Sequence, residues 1–152
     1  MANTQAMCSS FLGELMTATH NFTTGTGNTF KAALYLASAT VNASTTAYST
    51  TGEVTGTNYT AGGVTVTNGT SPLSSNTSAT AGTGYWTPSA SITYTNVTLS
   101  TAFDAVLIYN SSASNKAVSV HTFGSQTVTA GTFTLTMPSN TTSTALLRLA
   151  TT

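Results

Sequence analysis

The chain has 152 residues, a hydrophobic fraction of 39%, and three basic against three acidic residues. That length makes one domain with room for a core, and that hydrophobicity excludes a disordered composition. With 4% charged residues against about 25% in ordinary domains, Lys31, Lys116 and Arg148 cannot supply the basic face that nucleic acid or an anionic membrane requires.

Residues 1–4 read as a short polar arm. From about 5 to 20 the apolar positions Cys8, Phe11, Leu12, Leu15 and Met16 recur at helical spacing, with Phe22 beyond them. The stretch predicts one helix, with Thr4 as N-cap and Gly25 and Gly27 turning the chain afterwards. Its expected role is to lie on a sheet and close the core; a docking arm for a partner subunit is the sharper alternative. His20, at the helix end, is expected to interact with the helix dipole.

Residues 28–150 read as β structure. The segment 29–38 alternates, with Phe30, Ala32, Leu34 and Leu36 on one face. Residues 40–63 are loop-like, punctuated by Gly52, Gly56, Gly62 and Gly63, with Tyr48, Val54 and Tyr59 able to tack the loop down. A short strand at 64–67 precedes a long loop at 68–84. Tyr85 and Trp86 restart the apolar pattern. Ile92 and Tyr94, then Val97 and Leu99, change phase, which predicts a bulge near Asn96. Pro88 belongs at an edge or strand start.

The segments 105–109 and 117–123 form a hairpin around the polar turn 110–116, with Leu107, Tyr109, Val118 and Val120 as core. Short strands follow at 127–130 and 132–137, the latter turning Phe133, Leu135 and Met137 inward and ending at Pro138. A last strand at 145–150 buries Leu146 and either Leu147 or Leu149. One N-terminal α-helix and about seven or eight short strands predict a mainly β fold, an antiparallel β-sandwich or flattened barrel, in a single domain spanning 1–152.

Chemistry-bearing residues are sparse. Glu14, Glu53 and Asp104 are the only acids and lie far apart in sequence, whereas paired-carboxylate catalysis needs two in one cleft. A Ser–His–Asp set could be drawn from His121, Asp104 and any serine, but no Gly-x-Ser-x-Gly elbow is present. Two histidines and one cysteine, Cys8, lack metal-ligand spacing, and the glycine pairs match no phosphate-binding loop. No catalytic, cofactor-binding or metal residue is therefore expected. Trp86 and the tyrosines offer a sugar-stacking platform as a minor alternative. The lone cysteine excludes an intrachain disulfide. No secretory leader or 18-residue apolar run is evident, so a cytoplasmic origin without membrane insertion is expected. So few charges also leave little repulsion between copies, a hint of assembly.

Several segments together resemble a family. They are His-Asn-Phe at 20–22, TFKAALYLASATVNASTTAYSTTGEVTGTNYTAGG at 29–63, VLIYNSSASNKAV at 106–118, FGS at 123–125, and TLTMPSN with TALLRLA between 134 and 150. The chain resembles small virion structural proteins of tailed bacteriophages, the head decoration or cement type found in cyanophages and other aquatic phages. The resemblance implies a β-rich, non-enzymatic particle component made in the host bacterial cytoplasm. It would sit on the outer surface of the capsid with the major capsid protein as partner and copies of itself as a further one, a trimer at lattice three-folds and a cluster of protomers at capsomer centres both fitting, the trimer favoured. A tail, neck or fibre-base component and a glycan-binding adhesion module are the alternatives. The expected attachment parts are residues 1–16 and the loops at 40–63 and 68–84.

Overall fold

The spacing resolves into eight strands and one helix in the computed structural model, which describes residues 2–75 and 82–151. In chain order the described elements are β1 (Ala6–Met7), α1 (Ser9–Met16), β2 (Phe30–Leu36), β3 (Val64–Thr65), β4 (Leu73–Ser75), β5 (Thr83–Trp86), β6 (Ile92–Asn110), β7 (Lys116–Leu135) and β8 (Leu147–Ala150). They form two antiparallel sheets, ordered β1-β7-β6-β2-β3 and β4-β5-β8. The arrangement is sandwich-like and not a closed barrel.

The hairpin expected at 105–124 is the middle of a much longer one. Leu107 pairs with Val120 and Asn110 with Lys116, and Leu107, Tyr109, Val118 and Val120 are all buried. The strands then continue far past the expected breaks, through 19 residues in β6 and 20 in β7. They are continuous but not straight. Phe123 and Phe133 lie on the same strand, yet their ring centroids are 5.2 Å apart. Ten residues of straight strand would span about 33 Å, so the ribbon folds back on itself. Phe103 meets both rings at 6.0 and 5.0 Å.

Bulges make that curl. The register shifts between Tyr94 and Val97, as the phase change near Asn96 predicts, and again before Leu99, Phe103 and Ala105. Asn96 and Ala130 take positive φ of 52° and 44°. The strands expected at 92–99, 127–130 and 132–137 are thus arms of one bent hairpin. β7 ends at Leu135, before Pro138.

The N-terminus departs most from expectation. Of the expected arm 1–4, the described residues are not free. Asn3 donates from Nδ2 to Leu36 O (2.9 Å) and Asp104 Oδ1 (2.6 Å) and accepts from Val41 N (3.0 Å). Ala6 and Met7 then pair with Val120 and Ser119 as an edge strand. Pairing with β7 diverts those residues from helix, so α1 has eight residues, not sixteen. Its N-cap is Cys8, with no capping side-chain bond, and Thr4 bonds through its backbone N–H to Val41 O instead. The helix stops at Thr17, where Ala18 turns left-handed at φ 55° and Thr19 N–H returns to Glu14 O.

β2 is buried on both faces from Ala32 to Tyr35. On one face the Phe30 ring stacks on Phe22 (4.2 Å) and nears Trp86 (6.1 Å). On the other, the Tyr35 hydroxyl donates to Ser49 O at 2.5 Å, in the 40–63 loop. That loop is tacked down as its composition suggests: Val54 is buried, Tyr48 stacks on Tyr109 (4.7 Å) and Tyr59 on Tyr94 (5.9 Å). The long loop expected at 68–84 contains β4 and the start of β5, and its residues 76–81 lie outside the described ones. At the C-terminus Leu147 is buried, Leu146 half-buried and Leu149 exposed.

Candidate docking surface

Each acid is held by internal bonds, and each holds a different joint. Glu14 on α1 accepts from Lys116 Nζ (2.6 Å) and His20 Nε2 (2.7 Å). The His20 ring accepts at Nδ1 from Asn110 Nδ2 (3.1 Å), which leaves the Nε2 proton for Glu14. His20 is therefore a buried link between helix and hairpin turn, not a solvated dipole partner. Burial raises the Glu14 carboxyl; the bonds from Lys116 and His20 outweigh it and hold the group below its ordinary value. Asp104 binds Asn3. Glu53, buried in the 40–63 loop, accepts from the Tyr48 hydroxyl (2.6 Å) on Oε2, and from the Tyr59 hydroxyl and Gly62 N–H (both 2.8 Å) on Oε1. Burial and the Glu53 carboxyl push both phenols well above their ordinary range.

The structure does not assemble the Ser–His–Asp set. His121 Nε2 lies 2.9 Å from Ser119 Oγ, but Ser119 is 1% exposed and Asp104 is spent on Asn3. Burial also pushes the Cys8 thiol up to about 11, with Glu14 adding to the shift, which leaves it a protonated core group. Among the described residues no three His, Cys, Asp or Glu side chains converge. The aromatic platform expected of Trp86 does not reach the surface. Its indole is 2% exposed, lies 4.7 Å from Phe22, and donates to Asn68 Oδ1 (3.1 Å) and Thr70 O (3.0 Å).

His121 carries a pH prediction. Beside Phe123, Ile92 and Leu135, burial pushes its imidazole down from 6.5 to about 4. The unfolded chain then takes the proton first as pH falls. This contribution to stability is complete above about 6.5, declines below it, and is lost by about pH 4, amounting to at most about 3 kcal/mol. Thermal melts between pH 7 and 4 should show a steeper loss for the wild type than for His121→Gln; parallel curves would contradict the assignment.

What remains on the surface is apolar. Among the described residues the exposed large hydrophobic side chains are Met16 (86%), Leu73 (48%), Leu12 (45%) and Leu149 (44%). Leu73 and Leu149 line a groove of about 140 Å³ between α1 and the small sheet. Phe11 and Leu15, one turn apart on α1, form one wall; Leu73, Tyr85 and Leu149 form the other, with Phe22, Trp86 and Leu147 also lining it. No charged residue lines it. Leu12 and Met16 make the next stripe around α1, at the same i, i+4 spacing. Helical periodicity alone merges both stripes into one core-facing band. Phe11 is covered by the rings of His20 and Phe22, at 4.9 and 6.1 Å, while Leu12 and Met16 stay exposed.

The fold and this surface define a two-sheet antiparallel β protein whose three acids are tied to internal partners and which presents an apolar groove on its surface. Comparison of the chain with protein-family models, curated proteins and solved structures finds no match.

Proposed function

We propose that the chain is a non-enzymatic virion structural protein, a decoration or cement protein on the outer surface of a tailed-phage head, with the major capsid protein as partner. The observation that carries the reading is the groove. It brings together α1 and the 68–84 region, two of the segments expected to attach, and is lined by the exposed Leu73 and Leu149, while Leu12 and Met16 leave the adjoining stripe of α1 exposed. An exposed patch of that kind marks an interaction site. The third expected segment, the 40–63 loop, is tied to the domain by Glu53. The resemblance at 29–63 and 106–118 supplies the particle.

Binding energy gained only on the assembled lattice stabilises the shell by linkage. A surface with so few charges makes contacts that salt screens little. Quantitative mass spectrometry of purified particles tests the reading. Hundreds of copies per particle, near the count of the major capsid protein, are expected. A handful of copies would move the protein to the tail or neck, and absence from the particle would end the proposal.

A further inference from the structure

We propose that Asn68 is a site of spontaneous deamidation which the fold holds closed, and that the reaction, once it occurs, releases a polar link between Phe22 and Trp86. It does not depend on what the groove binds.

Asn68 and Gly69 form the one Asn-Gly pair in the chain. In such a pair the glycine nitrogen, unshielded by a Cβ, can reach the side-chain carbonyl of the residue before it. Gly69 N attacks Asn68 Cγ and a C–N bond forms. The side-chain nitrogen leaves as ammonia, carrying the proton that Gly69 N gives up. The resulting succinimide ring adds water at either carbonyl and opens to aspartate or isoaspartate. Water is the only co-reactant, and Gly69 is exposed to it.

The fold requires both halves of this labile pair. The Asn68 amide joins two residues that line the groove: Nδ2 donates to Phe22 O (2.8 Å), and Oδ1 accepts from Trp86 Nε1 (3.1 Å). The side chain at 68 must donate with one atom and accept with another, and asparagine is the shortest that does. Gly69 is fixed by Ser89. Its N–H donates to Ser89 Oγ (2.9 Å), and a Cβ in its place would run into the Ser89 side chain. Ser89 in turn donates from N and from Oγ to Thr67 O, at 3.0 and 3.1 Å.

The same bonds hold the reaction off. Attack needs Gly69 N freed from Ser89 and the Asn68 amide turned away from Phe22 and Trp86, so three hydrogen bonds give way before the C–N bond forms. Deamidation therefore proceeds through a local opening around residues 67–69. Its product cannot reclose in the same way. Aspartate keeps the acceptor for Trp86 but sets a second acceptor against Phe22 O, which loses its donor. Isoaspartate adds a methylene to the main chain and draws Gly69 away from Ser89 as well. Phe22 and Trp86, with ring centroids 4.7 Å apart, keep their apolar contact and lose the amide that ties them.

Peptide mapping by mass spectrometry tests this on the full chain, incubated at mildly alkaline pH both folded and in urea. The mass gain at Asn68 should appear at least about tenfold more slowly in the folded chain, because opening precedes reaction. Ser89→Ala, at an exposed position, frees the Gly69 N–H. It should speed the folded reaction severalfold and leave the rate in urea unchanged, with circular dichroism confirming its fold. The comparison of folded with urea-unfolded wild type needs no variant, so it decides even if Ser89→Ala unfolds. Asn68→Asp, which carries the aspartate product from the start, should melt several degrees below the wild type. A folded chain that deamidates as fast as the unfolded one, a folded Ser89→Ala chain no faster than the wild type, or an Asn68→Asp chain that melts with the wild type would overturn the proposal. An Asn68 that stays intact even in urea would end it too.

Discussion

Replacing Glu53 with alanine should cost about 4 kcal/mol or more of stability, a large share of the 5–15 kcal/mol that holds a domain folded. The carboxyl is buried and accepts three hydrogen bonds, from the Tyr48 and Tyr59 hydroxyls and the Gly62 N–H. Alanine leaves three donors at a site closed to water, at about 1–3 kcal/mol each, partly relieved as Tyr48, the least buried of them, turns outward. Glu53→Gln keeps one acceptor and the side-chain volume, so its loss should be about half as large. Tyr48→Phe removes a donor together with its need and should cost about 1 kcal/mol. Urea unfolding of the three variants gives the order directly. Hydrogen exchange should show the 40–63 loop opening first in Glu53→Ala, because no other acid holds it. A loss below 1 kcal/mol for Glu53→Ala would mean that the tyrosines, stacked on Tyr109 and Tyr94, anchor the loop without the carboxyl.

Glu53 also marks a boundary of what sequence can disclose. Tyr48, Val54 and Tyr59 announce themselves as apolar anchors in a polar loop, and they are anchors. The acid among them carries no local signal, since its partners at 48, 59 and 62 are brought to it only by the folding of the whole loop. The hairpin around 110–116 is legible for the opposite reason: long apolar runs and a polar turn are local facts. So is the bulge at Asn96, because a period-2 pattern that slips by one residue has to be absorbed somewhere. The continuity of β6 and β7 is not legible. Threonine and serine in both arms, and glycine in β7, look like strand ends, yet bulged pairing carries the ladder through them. The helix boundary fails because Ala6 and Met7 choose a distant strand over their neighbours. The groove is half readable: every residue of the helical stripe is in the pattern, but the side that is covered depends on partners outside the helix, the rings of His20 and Phe22.

The turn at Gly62 and Gly63 supplies the other large effect. Gly63→Ala should destabilise the fold by about 4 kcal/mol, or prevent folding altogether. Gly63 sits at φ 68°, a conformation that costs a residue with a Cβ about 1 kcal/mol or more. An added Cβ would also run into the Ala32 carbonyl oxygen and crowd the Ala33 backbone. Those atoms belong to β2, which is paired on both sides, with β3 and with β6, so no flexible side chain can yield in their place. Overpacking of that kind adds about 1–3 kcal/mol. Movement of the turn would also carry Gly62 away from Glu53 and from the Tyr109 hydroxyl, which donates to Gly62 O at 2.8 Å. A contrasting glycine separates this cause from a general intolerance of alanine. Gly13 lies in α1, with nothing within 4 Å of an added Cβ, and Gly13→Ala should stabilise by up to about 1 kcal/mol. Melting temperatures of the two variants should therefore move in opposite directions from the wild type; a Gly63→Ala chain that melts within a degree or two of it would show that β2 and the turn separate more easily than their pairing implies.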